Sequence, residues 1–143
     1  MIPILILAGG IWYATGDWRR IAAGRTAVGI VLANHSDVLG AMDHPTLGPI
    51  DFRWGNAKEG FCHVITRAAG RLARFPEGPT GETILRLVPE VIVKGKWHSE
   101  GPRKVVVEHD GIRVTLAKDF HGKPCAHWVL SAYDVDHKKN GNR

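Results

Sequence analysis

The sequence has little cysteine, no acidic cluster and no long apolar run, and each shortage excludes a class of protein. Two cysteines, Cys62 and Cys125, cannot build a disulfide framework. No CxxC or CxxxH spacing offers a zinc site. Cys62 falls in an apolar helical pattern and reads as a small buried hydrophobe, and the chain suits a reducing compartment. Asp51, Glu90, Glu108, Asp110 and Asp119 are scattered, so no metal and no cofactor are expected. The apolar stretch Ile2–Tyr13 contains Pro3 and Gly9-Gly10 and stops at Asp17 and Arg19-Arg20. It falls short of the ~20 residues a spanning helix needs, and no basic residues precede it as in a signal peptide. It reads as a strand or docking piece, or as the remnant of a longer polypeptide, without stable membrane insertion.

What is present is an ordinary globular mixture, 44% hydrophobic and 23% charged, in 143 residues. Formal net charge is +5 with eight histidines besides, which suits a polyanionic partner. Asp17 is placed to cap a helix from Trp18, with Trp18, Ile21, Ala22, Val28 and Leu32 inward. Ser36 suits the cap of a short turn. The run from Asp43 to Pro49 is rich in turn residues, so residues 1–48 read as an apolar, helical segment and residues 49–143 as the working domain.

From Pro49 the pattern sharpens. Residues 49–55 read as an entry strand or extended segment. Over 60–74, Phe61, Val64, Ile65, Ala68 and Leu72 share an apolar helix face. His63, Arg67, Arg71 and Arg74 fall on the opposite face, within roughly 80°. Arginines there also suit any solvated helix. Thr80 caps a second helix with Ile84, Leu85 and Val88 inward, which Pro89 is expected to end or bend. Strands are expected at 93–98, 103–109, 112–118 and 126–133, with Asp110-Gly111 as a two-residue hairpin. Helices followed by a meander of strands imply α+β with an antiparallel sheet. Alternation gives Ile112, Val114 and Leu116 one face, with Trp128, Leu130 and Ala132 as the apolar set of the last strand. The other face then carries Arg113, Thr115, His127, Ser131 and Tyr133.

Six segments in order resemble one family. They are Ile50-Asp51-Phe52-Arg53-Trp54-Gly55, Gly60-Phe61-x-His63-Val64-Ile65, and Leu87-x-Pro89-Glu90-Val91-Ile92-x-x-Gly95. Then come the run from Arg103 to Gly111, Lys118-Asp119-Phe120-x-Gly122-Lys123-Pro124, and Trp128-Val129-Leu130-Ser131-Ala132-Tyr133. Together they are similar to the phage-type barnase, EndoU, colicin and RelE-like nucleases, found at the C-terminus of phage or polymorphic-toxin proteins. The resemblance implies N-terminal helices packed on a four- to five-stranded antiparallel sheet and cofactor-free RNA cleavage. It carries the family's helix histidine to His63, its strand-flanking basic residues to Arg103 and Lys118, and its final-strand hydroxyl to Ser131.

Metal-free RNA cleavage needs a base for the 2′-hydroxyl proton, an acid for the leaving 5′-oxygen and cations for the phosphate. His63, Arg103, Lys118, Ser131 and Tyr133 are the expected catalytic set, with Arg67, Arg113 and His127 as RNA-binding residues. The expected partners are an RNA substrate, tRNA among the candidates, and an acidic immunity or antitoxin protein. The expected place of action is a bacterial cytoplasm, after delivery within a larger secreted or phage protein. The competing readings are a non-catalytic nucleic-acid-binding module and a phage structural or assembly module.

Overall fold

The computed structural model describes residues 9–135. Residues 1–8 of the apolar segment lie outside the described residues. From Gly9 the chain is helical, and α1 spans Gly9–Asn34, so Asp17 lies inside the helix and does not cap it. Ile21, Ala27, Val28 and Val31 are buried at helical spacing, whereas Ala22 is exposed and Trp18 is 56% exposed with the Arg25 guanidinium over its ring. The phase of the buried stripe is set by Gly24. A Cβ there would sit 2.6 Å from Pro89 Cβ and 2.9 Å from Met42 Sδ, so only glycine lets the helix dock this closely.

Two strands follow: β1 (Val38–His44), which the sequence pattern did not announce, and β2 (Gly48–Phe52), which falls in the extended segment expected from Pro49. Ser36 precedes β1 in a non-helical stretch. Next come α2 (Gly60–Arg74) and α3 (Gly81–Lys94). Thr80 caps α3, its hydroxyl accepting the Thr83 N–H at 3.1 Å. Pro89 does not end this helix, which continues to Lys94 with Val93 in its last turn. The ring forgoes one helical hydrogen bond but is buried in the seam with Gly24, and that packing offsets the loss. Consequently β3 is the short Lys96–Ser99. The remaining strands are β4 (Lys104–His109), β5 (Ile112–Phe120) and β6 (Lys123–Asp134).

The fold is α+β. Its sheet has six strands in the order β1-β2-β6-β5-β4-β3, one more than the upper expectation. All neighbours are antiparallel except β2 and β6, which run parallel. The helices cover one face, and the core lies between them and Phe52, Val107, Val114, Leu116 and Val129. Burying each such side chain contributes on the order of 1.5–3 kcal/mol. Ala27, Val28, Val31, Ala41 and Met42 belong to the same cluster, so α1 and β1 share its core.

The expected faces of the last strand need correction. Thr115 pairs with Ser131 but Leu116 with Val129, so Leu130 is an extra residue in β6. Such a bulge flips the alternation on either side of it. Val129 and Ala132 therefore both face the core. His127 pairs with the core residue Ile50 on the helix side, and Trp128 points to the other face. There the Trp128 indole N–H donates to the Asp119 carbonyl at 2.8 Å. Ser131 and Tyr133, opposite Thr115 and Arg113, keep the expected outer face.

Candidate active site

The site is built where β2 stops. This strand pairs with β6 only through Ile50 with His127 and Asp51 with Trp128, and α2 packs beside the C-terminal half of β6. The start of α2 is fixed by backbone, since Glu59 makes no side-chain cap. The Phe61 N–H donates to the Arg53 carbonyl at 3.0 Å and the Cys62 N–H to the Trp54 carbonyl at 2.8 Å. Two of the otherwise unpaired first-turn N–H groups are thereby satisfied. Gly55 permits the intervening turn, with φ +69 and no room for a Cβ against the Glu59 carbonyl.

His63 occupies the first turn of α2. Its Nδ1 lies 2.9 Å from the Ala57 carbonyl. A carbonyl can only accept, so Nδ1 carries the proton and the neutral ring keeps its lone pair on Nε2. One turn later the Arg67 guanidinium carbon sits 4.9 Å from the centre of the Tyr133 ring. The Tyr133 hydroxyl accepts from Arg113 at 3.1 Å. Arg113 in turn donates to Glu108, through Nε at 3.0 Å and through its terminal nitrogen at 2.9 Å. Hydrogen bonding to Glu108 is the main cause that raises the Arg113 pKa, opposed by burial and aided by Tyr133. Ser131 lies two positions before Tyr133 on the same face, its Oγ buried without a hydrogen-bond partner among the described residues.

His63, Arg67, Arg113, Ser131 and Tyr133 thus lie at one end of the sheet. The edge position of α2 lets a helix stripe and the outer sheet face meet. Arg103, Lys118 and His127 lie at the other end. At ~3.3 Å per residue, the six steps from His127 to Tyr133 span about 20 Å. The Lys118 N–H donates to the Arg103 carbonyl at 2.9 Å, and Arg103 is exposed just before β4. His127 has its pKa lowered by burial first and then by Lys118, against an opposing interaction with the Leu47 backbone. Its Nε2 is buried without a partner among the described residues. His44, 9% exposed, accepts the Thr46 and Leu47 N–H groups on Nδ1, each at 3.1 Å. Burial, Arg20 and His127 lower its pKa. These two imidazoles hold the β1–β2 turn in their neutral forms.

Sequence reasoning missed Glu108 as the anchor of Arg113. The signal was there, because a two-residue hairpin at Asp110-Gly111 sets position 108 opposite 113. The Ala57 carbonyl and His44 left no such signal.

Among the described residues, no three His, Cys, Asp or Glu side chains are grouped so as to hold a metal ion. No helix among them is long and apolar enough to cross a membrane. A family model described as phage-Barnase-EndoU-ColicinE5/D-RelE like nuclease1 matches residues 41–139, more than half of the chain. No curated protein and no solved structure matches it.

Proposed function

The chain belongs to the phage barnase, EndoU, colicin E5/D and RelE-like nuclease family, and on that premise we propose that it is a metal-independent endoribonuclease, cutting RNA by attack of a ribose 2′-hydroxyl on the adjacent phosphate. The observation that carries this reading is the His63 imidazole, oriented by the Ala57 carbonyl through Nδ1, one helical turn from the Arg67–Tyr133–Arg113 chain.

His63 Nε2 takes the 2′-hydroxyl proton as the 2′-oxygen bonds to phosphorus. Arg67 and Arg113 stabilise the charge that gathers on the phosphoryl oxygens, and the Glu108 bond holds the Arg113 fork in place. The P–O5′ bond breaks, and Tyr133 gives its hydroxyl proton to the leaving oxygen. Ser131 Oγ, buried without a partner among the described residues, has to turn outward to hydrogen-bond the phosphate. The products are a 2′,3′-cyclic phosphate and a free 5′-hydroxyl, with the proton on His63 returning to Tyr133 through solvent. Arg103 and Lys118, about 20 Å along the sheet, engage the RNA strand away from the cut, whereas His127, on the helix side with its Nε2 buried, serves the β1–β2 turn. In this reading the domain is a toxin acting in a bacterial cytoplasm, and its producer holds an acidic immunity protein.

The test is cleavage of single-stranded RNA by the purified chain in excess EDTA, with DNA of the same sequence left intact. Cleavage that stops in EDTA, or that attacks DNA, would exclude 2′-hydroxyl chemistry. Retention of full cleavage by His63→Ala would exclude this base.

A further inference from the structure

Beside the His63 cluster, between α2, α3 and the end of β6, lies a cavity of about 410 Å³. Its buried lining is apolar, made of Val64, Ala68, Ile84 and Ala132. Its remaining lining is of different character. Arg67, Arg71 and Arg74 bring guanidinium groups, and Phe75 and Tyr133 bring aromatic rings. Arg71 is tied to the wall, donating to the Pro79 carbonyl at 2.7 Å, while its own Nε is buried without a partner among the described residues. The Arg74 guanidinium stands 5.4 Å from the centre of the Phe75 ring.

We propose that this cavity takes one splayed-out nucleobase of the RNA, next to the scissile phosphate, with the phosphate of that nucleotide held by Arg67 and Arg74. The proposal rests on the ribonuclease reading of the His63 cluster and adds where base selection occurs. Three features point to a base over a bare anion. The volume lies in the range of small-molecule sites, an apolar floor is wasted on phosphate alone, and rings with guanidinium planes are what single-stranded bases stack on. The Arg71 guanidinium, held by the Pro79 carbonyl, adds a cationic plane to the wall against which the base lies. Arg67 serves both sites, its guanidinium on the Tyr133 ring at the boundary between them.

Gly70 gives a means of testing this. It lines the cavity, and a Cβ built on it meets nothing within 4 Å. A Gly70→Phe change therefore fills the mouth without clashing at the backbone, and Gly70→Ala is the small control. The full chain is titrated with the four ribonucleoside 5′-monophosphates and with ribose 5-phosphate, followed by amide NMR shifts. At least one nucleotide should bind about 5- to 150-fold tighter than ribose 5-phosphate, the worth of one stacked base. Gly70→Phe should erase that difference and Gly70→Ala should keep it. Arg74→Ala, at an exposed side chain, should weaken nucleotides and ribose 5-phosphate alike. Equal binding of ribose 5-phosphate and every nucleotide overturns the proposal, as does wild-type nucleotide affinity in Gly70→Phe. Base-dependent binding without any RNA cleavage sinks the catalytic reading alone. His63-dependent cleavage with no base discrimination in binding sinks the cavity proposal alone.

Discussion

The hydrogen bond from His63 to the Ala57 carbonyl decides which ring nitrogen can accept a proton. His63→Ala should lower the rate of RNA cleavage by ~10² to 10⁴, the usual worth of a positioned acid or base. Fold and RNA binding should be retained, which single-turnover rates and binding titrations separate. Arg113 is gripped by Glu108 through two of its nitrogens while a third donates to Tyr133. A lysine offers a point charge without this planar fork, so Arg113→Lys should lose about 10²-fold in kcat although charge is conserved. An Arg113→Lys enzyme with wild-type kcat would show that only charge is needed there.

His44 and His127 bear on stability. Both have pKa values below the ordinary 6.5 in the folded protein, burial being the chief cause for each. Protonating His44 on Nδ1 would also break its bonds from Thr46 and Leu47. The unfolded chain takes up these protons near pH 6.5, whereas the folded chain resists them until lower pH. Stability is therefore at its full value above about pH 6.5 and falls as the pH drops below it, by at most about 1.4 kcal/mol per pH unit for each histidine. Urea midpoints at pH 7.5 and 5.5 should show the decline, and a His44→Asn, His127→Asn double variant should flatten it. A midpoint that rises on acidification would contradict the neutral assignment.

Two seams position the elements. In the first, α1 docks on Pro89 and Met42 through Gly24, where a Cβ would come within 2.6 Å of the proline. Gly24→Ala should cost about 1–3 kcal/mol despite the better helix propensity of alanine, because neither a proline ring nor a packed sulfur moves easily. Thermal unfolding measures this, and a stabilised variant would mean that the seam is loose. In the second, α2 lies alongside β6 where β2 has ended, and the bulge at Leu130 turns Ser131 and Tyr133 to the outer face while Ala132 stays in the core. Gly70→Ala, in the open part of α2, should stabilise by up to about 1 kcal/mol.

For the whole molecule, the proposed toxin role together with a net charge of +5 predicts an acidic inhibitor in the producer. Opposite charge steers encounter, so the association rate with such a protein should fall as salt rises from 50 to 500 mM in a stopped-flow titration. A salt-independent rate would leave capture to apolar contacts.

The sequence by itself determined the fold class, the extent of α2, the Thr80 cap, the Asp110-Gly111 hairpin and the helix stripe that begins at His63. Each depends on side-chain period or turn chemistry within a few residues, which local pattern carries. Six ordered motifs also pointed to the nuclease family. Only the tertiary structure decided the rest. Long-range packing against Gly24 carried α3 through Pro89, where local chemistry argues for a stop. The bulge in β6 follows from its ladder with β5 and put His127 on the helix face. Strand β2 ends beyond Asp51, and that opening let α2 bring Arg67 onto Tyr133 while Lys118 and His127 stayed at the far end of the sheet. Which residues share a site is a matter of distances between chain-remote elements, and no periodicity along the chain encodes them.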